Sequence, residues 1–225
     1  MMSKSKSSKS VSILPSGSVD FLHRRLVELG GFVLLLLALV CTLALVTYSA
    51  GDPNFNHATS TPPSNLLGSA GAHLADLLLQ TLGFGSIALI LGLVAWSWRV
   101  ISHRGLRWGW IHLAVLPFGL CLTSATLAAL PVSDAWPLNA GYGGIVGDVI
   151  FNSVIVTGQK IGVPIHPAIL GPILLLLTMG LLLVSFGVSP REWQTIGGTI
   201  ARIFRTLLAV PTYLRQIGER RRETR

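Results

Sequence analysis

His73 and Asp76 stand three residues apart, the spacing at which a helix sets two metal ligands on one face, but no third ligand lies close by in the sequence. They read as two polar residues at an interface. His57, His112 and His166 are isolated from one another. Cys41 and Cys121 each fall near the middle of an apolar run, where no oxidant works, and two thiols make no metal site, so both read as small packing residues. No Gly-x-x-x-x-Gly-Lys-Ser/Thr loop is present to cradle a nucleotide phosphate. The sequence therefore predicts no catalytic, metal or cofactor site, and no enzyme activity for these residues alone.

What must position any functional surface is a membrane bundle. Four apolar runs, at about 29–49, 77–98, 110–130 and 168–188, each have roughly the 20 residues that cross about 30 Å of hydrocarbon. Of 17 Lys and Arg residues, all but Lys160 fall in the N-terminal arm, the middle gap or the C-terminal tail. Lys and Arg accumulate on the cytoplasmic side, so this asymmetry predicts four crossings with both termini cytoplasmic. Charged residues make up 12% of the chain, about half the share of a soluble domain, and none lies within the four runs. The net charge of +8 sits in short membrane-flanking segments and is assigned to topology and anionic-lipid contact rather than nucleic acid. A channel or transporter assembled from four-span subunits is the alternative; charge-free spans argue against ion coupling, while a pore lined by Ser, Thr and backbone carbonyls stays open.

Residues 1–18 form a Ser/Lys-rich arm expected to be disordered, and 19–188 form the membrane domain. The first outer loop opens with the turn sequence Gly51-Asp52-Pro53-Asn54. Residues 66–82 then read as an interfacial helix that keeps Asp76 at the outer boundary and enters the second span near Gly83–Gly85; one long tilted helix is the alternative. Segment 144–160 is apolar enough to be a fifth span. However, Asp148, Asn152 and Gln159 make one polar stripe, and a crossing there would turn the basic tail outward. It is read as a second interfacial helix. Residues 189–210 carry a helix-start signature, Ser189-Pro190-Arg191-Glu192, and then apolar residues at helical spacing, which predicts a cytoplasmic amphipathic helix. Residues 211–225 look like the start of a linker. Trp96, Trp98, Trp108 and Trp110 on one side, and Tyr48, Trp136 and Tyr142 on the other, are placed as interfacial belts. Gly85, Ala88, Gly92 and Ala95 share a face of the second span, and Cys121, Ala125 and Ala128 share one of the third. Both are candidate helix-packing seams. The fold class is an all-α membrane protein of four transmembrane helices plus interfacial amphipathic helices.

The outer segments carry a more specific pattern. Tyr48-Ser49-Ala50-Gly51-Asp52-Pro53 is followed by Asn65-Leu66-Leu67-Gly68, by Gly71-Ala72-His73-Leu74-Ala75-Asp76, and by Gly83-Phe84-Gly85; Gly143-Gly144-Ile145-Val146-Gly147 comes later. In order and spacing, from about residue 22 to 204, this resembles the N-terminal four-helix membrane domain of the FtsK/SpoIIIE family of bacterial DNA translocases. Asn54-Phe55 departs from the family's Ser-Trp-like pair. The resemblance implies an anchor at the division septum in the bacterial inner membrane, contacts with division proteins, and a homo-oligomer, hexameric in that family. It also implies a DNA-pumping motor, using ATP and magnesium, beyond a linker. Asp52, Pro53, Asn65, Gly68, Gly71, Asp76, Gly143, Gly144 and Gly147 become candidate partner-interaction residues, with Asp76 expected to be dispensable for stability.

Overall fold

Long uninterrupted runs of Leu, Val and Ala with few helix breakers dictate helices. The computed structural model describes residues 18–53, 62–103 and 109–187 apart from 135, 137 and 139, together with Glu192, Gln194, Gly198 and Arg202, each of them helical. The disordered arm, the linker and most of the tail helix read from the sequence lie outside these residues. Six α-helices are described: α1 (Ser18–Val46), α2 (Gly68–Leu82), α3 (Ser86–Ile101), α4 (Gly109–Ala128), α5 (Gly144–Lys160) and α6 (Pro167–Ser185). No strand occurs among the described residues.

Four helical stretches are long and apolar enough to cross a membrane: Phe21–Val46, Gly68–Ile101, Gly109–Ala128 and Pro167–Ser185. The second has 34 residues, about 50 Å at 1.5 Å per residue, well beyond the hydrocarbon thickness. Its continuity breaks at a 3-10 turn, Gly83–Gly85, where Gly83 takes a φ of +59° that side-chain-bearing residues rarely adopt. The stretch is therefore two helices, α2 and α3, joined at this turn. Leu36, Leu113, Phe118 and Leu176 stand exposed on α1, α4 and α6, as helices that face lipid tails require.

α1 packs chiefly on α3, while α4 packs on α6 and α5. The α1–α3 contact was not anticipated from sequence. Gly31, Ala38, Cys41 and Ala44 are all buried along one side of α1, and Ser97 Oγ donates to the Gly31 carbonyl at 2.8 Å. A Cβ on Gly31 would come within 2.6 Å of Ile101 Cγ1. The two helix pairs meet at Ala88, Trp96, Leu116 and Leu120, with Leu34, Leu182 and Phe186 against them. Trp96, read as a belt residue, is buried there because its indole N–H donates to the Ser185 carbonyl at 2.8 Å. Trp98 and Trp110 remain exposed, as a belt requires.

Of the small residues placed in seams, Ala88, Gly92 and Ala125 are buried, whereas Ala95, Cys121 and Ala128 are half-buried. Gly92 brings no backbone close. The space above it is filled by Leu116 and Phe186 side chains, each 3.2 Å from where a Cβ would stand. Adjacent glycines on α1 provide a test. Gly31→Leu should destabilise the protein by about 1–3 kcal/mol through overpacking against α3. Gly30→Leu, with no heavy atom within 4 Å of the added Cβ, should leave stability unchanged. Thermal unfolding in detergent reads the difference, and equal loss at both positions would contradict this packing.

Candidate functional site in the cap

At the end of α1 away from its basic residues, α2, α5 and the connecting loops form a cap, and the sequence-marked motifs converge on it. The first group closes the α1–α2 connection. Asp52 is 5% exposed and accepts three hydrogen bonds: Ser64 N–H at 2.8 Å and Ser64 Oγ at 2.7 Å on Oδ1, and Asn65 N–H at 3.0 Å on Oδ2. Asn65, 4% exposed, sends its Nδ2 to the carbonyls of Ala44 and Thr47, at 2.9 and 3.1 Å. These are among the carbonyls that a helix end leaves without partners, so Asn65 caps α1 from a distant loop. Its Oδ1 accepts from Leu67 N–H, and its carbonyl from Gly68 N–H, closing a turn into α2. Gly71 is bare because the Asn65 side chain occupies the space a Cβ would need.

The second group joins α2, α4 and α5. Gly83 and Gly144 face each other backbone to backbone, a Cβ on Gly144 falling 2.5 Å from Gly83 N. Phe84 N–H donates to the Tyr142 carbonyl at 2.9 Å. Gly143 and Gly147 both lie on the Ser124 carbonyl of α4, with no room for a side chain. The Ser124 hydroxyl donates to the Leu82 carbonyl at 3.0 Å, unlike Thr42 and Thr123, which bond back to their own helices. Phe84, Trp136 and Tyr142 cluster over this junction with ring centroids 4.8–5.7 Å apart. Trp136 and Tyr142 thus pack on each other and on Phe84, beyond any belt role.

These positions correct the sequence reading of the interaction residues. Asp52, Asn65, Gly71, Asp76, Gly143, Gly144 and Gly147 are buried within the chain, and only Pro53 and Gly68 are partly exposed. Asp76, expected at the boundary, is 1% exposed, and Gln80 Nε2 donates to both its carboxylate oxygens at 2.9 Å. The i, i+4 pair gives the carboxylate a hydrogen-bond donor inside the cap. Its replacement would remove the acceptor of both bonds from a buried position, so Asp76 is a packing residue of the cap as well as a polar one. His73 bonds Ser69 on its own helix, and no cluster of three metal-ligating side chains occurs among the described residues. On α5, Asp148 is half-buried and accepts from Gly141 N–H at 3.0 Å, while Asn152 and Gln159 are exposed. What the cap offers is therefore a surface whose exposed side chains include Leu66 and Ile161.

Electrostatics supports the closure. The Ser64 backbone hydrogen bond first, then the Ser64 hydroxyl and Asn65 N–H, outweigh burial and hold the Asp52 carboxyl below the usual carboxylate range. Burial, then the neighbouring Asp76 and Asp52, push the Tyr48 phenol above its ordinary value.

Residues 23–196 match a family model described as the 4TM region of DNA translocase FtsK/SpoIIIE. A DNA translocase FtsK of Bradyrhizobium diazoefficiens is 38% identical over 185 residues, covering 80% of this chain and 22% of that protein. The namesake of Azospirillum brasilense is 29% identical over 205 residues, covering 88% of the chain and 32% of the relative. The one of Rhizobium meliloti is 39% identical over 132 residues, covering 58% and 15%. The chain thus spans a third or less of each of these relatives. No solved structure matches it.

Two predictions follow from the cap geometry. Asn65→Ala should lower stability by about 1–3 kcal/mol, because two helix-end carbonyls lose a donor in a buried setting. Gly143→Ala should cost at least as much, since the clash is with backbone. Both are read as thermal unfolding in detergent, where wild-type values would refute the caps assigned here. The pH dependence of Asp52 has a definite sign. A carboxyl depressed in the folded state stabilises it above its unfolded pKa of about 3.9, and that contribution disappears as pH falls through the folded value. Stability should therefore fall with pH below about 4 in the wild type, and less steeply in Asp52→Asn.

Proposed function

Because this chain belongs to the FtsK/SpoIIIE family of DNA translocases, whose four-span membrane region it carries, we propose that it anchors a septal DNA translocase in the bacterial inner membrane and docks it to division proteins. In this reading the spans hold the translocase at the septum and the cap meets partners outside the cytoplasm. An ATP- and magnesium-dependent motor on the same polypeptide moves DNA, coupling chromosome segregation to division. Both termini face the cytoplasm, and copies of the chain associate as an oligomer, hexameric if it follows the family's motor.

One observation carries the docking role: the residues that mark the family are spent inside the cap, holding a loop and three helices in one arrangement. A cap built so rigidly has little use as a mere connection between spans. It suits a preformed surface, because binding to it costs little ordering entropy. A pore gains no comparable support. The buried hydroxyls of Ser86, Ser97 and Ser124 each donate to a carbonyl within the chain.

Two experiments test this. An impermeant thiol reagent applied to intact cells should label a cysteine introduced at Thr59 or Ala140 and spare one at Ser102 or Thr212; labelling at Ser102 would reverse the topology. Leu66→Asp and Ile161→Asp change side chains that are 72% and 70% exposed. They should leave abundance and unfolding temperature unchanged while causing filamentation and loss of septal recruitment. Normal division by both would remove these two side chains from the docking surface.

A further inference from the structure

The opposite end of the bundle holds a cavity that neither the cap nor the packing explains. His23, Arg24 and Val27 of α1 and His103, just beyond α3, line about 360 Å³. The α1 residues fall within four positions and so crowd onto one helix face. His103 is fixed in place: it is the sole non-glycine with positive φ among the described residues, at +52°, and its Nε2 lies 3.0 Å from Glu28 Oε1. The Glu28 carboxylate also accepts from Arg25 Nη1 at 2.6 Å, and Arg25 lies over the Phe21 ring. Glu28 is thus occupied by two basic groups, and among the described residues the cavity lining holds an arginine, two imidazoles and no carboxylate.

A pocket of guanidinium and imidazole groups matches the oxygens of a phosphate. Its location narrows the source of that phosphate. It sits at the basic end of a membrane span, the depth occupied by phospholipid headgroups. Below it, Gly30 lies on the same face of α1 as His23 and Val27, two turns from His23, and a Cβ there would meet no heavy atom within 4 Å. This leaves a bare strip of helix leading from the pocket into the apolar zone, bordered by exposed Leu26 and Leu29. A headgroup pocket continued by an apolar strip fits an amphipathic ligand better than a free ion.

We propose that this pocket binds the phosphate headgroup of an anionic phospholipid, with an acyl chain laid along the Gly30 strip. The proposal rests on the four-span fold alone, and neither the orientation of the bundle nor the docking role of the cap enters it. The purified full chain in detergent is titrated with phosphatidylglycerol, and with phosphatidylcholine as the zwitterionic control, and bound lipid is counted by native mass spectrometry. Phosphatidylglycerol should be retained in preference. Arg24→Ala should lower its apparent affinity about fivefold, the effect of one arginine near a lipid surface. His23→Glu, which places a negative charge in the pocket, should lower it at least as much. Gly30→Leu should weaken retention with the charges intact, and Arg222→Ala in the tail should change nothing. His23 and Arg24 are exposed, so both variants should fold, and unfolding temperatures verify it. Equal retention of the two lipids, or wild-type retention by Arg24→Ala and His23→Glu, overturns the site. Displacement of the lipid by millimolar inorganic phosphate, with Gly30→Leu behaving as wild type, assigns the pocket to free phosphate and overturns the lipid reading.

Discussion

The cap depends on one constraint: at Ser124, three elements approach α4 so closely that no side chain can stand between them. The Ser124 carbonyl touches Gly143 and Gly147 of the α5 entry, and its hydroxyl reaches the Leu82 carbonyl at the end of α2, beside Gly85. Within lipid, helices gain nothing from hiding apolar surface from one another, so close packing and hydrogen bonds must supply the attraction. Glycine provides the approach and serine the bond. Gly83 lies against Gly144 at the same junction, so the break between α2 and α3 also serves as the place where α5 begins.

From this junction the rest of the cap follows. With α2 pinned at its C-terminal end, its N-terminal end must be held against α1, and the Asp52–Ser64–Asn65 network performs that task. Each group in the network serves two elements. Asn65 caps α1 while turning the chain into α2, and Thr47 bonds its own helix while accepting from Leu66 N–H. Such shared partners couple the two ends of α2, so loosening one costs contacts at the other.

Sequence reading located the spans, the glycine break and the residues that matter, but it misassigned why they matter. Gly143, Gly144 and Gly147 look the same in sequence whether the approaching backbone belongs to a partner or to α4; only the fold tells which. Asp76 was placed at the boundary because hydropathy weighs a carboxylate singly, although Gln80 four residues on was a legible partner. Trp96 was counted with the belts because nothing local shows that Ser185, 89 residues away, presents a carbonyl to it. The α1–α3 seam was missed for a different reason. Gly31, Ala38, Cys41 and Ala44 are small residues scattered through a leucine-rich helix, and their shared side shows only when the whole span is projected at once.

The two ends of the bundle are built on opposite principles, and this bears on what each can do. The cap pairs Asp52, Asn65 and Asp76 within the chain and leaves at its surface apolar side chains such as Leu66 together with the polar Asn152 and Gln159. The basic end does the reverse. It leaves Arg24 and His23 exposed around a shallow cavity and pairs Glu28 with both Arg25 and His103. Groups left so open respond to charge and salt more than to contour, and lipid is the anionic surface that a membrane span always meets. The two ends of the bundle thus differ in how their polar groups are used, with α1 running through both.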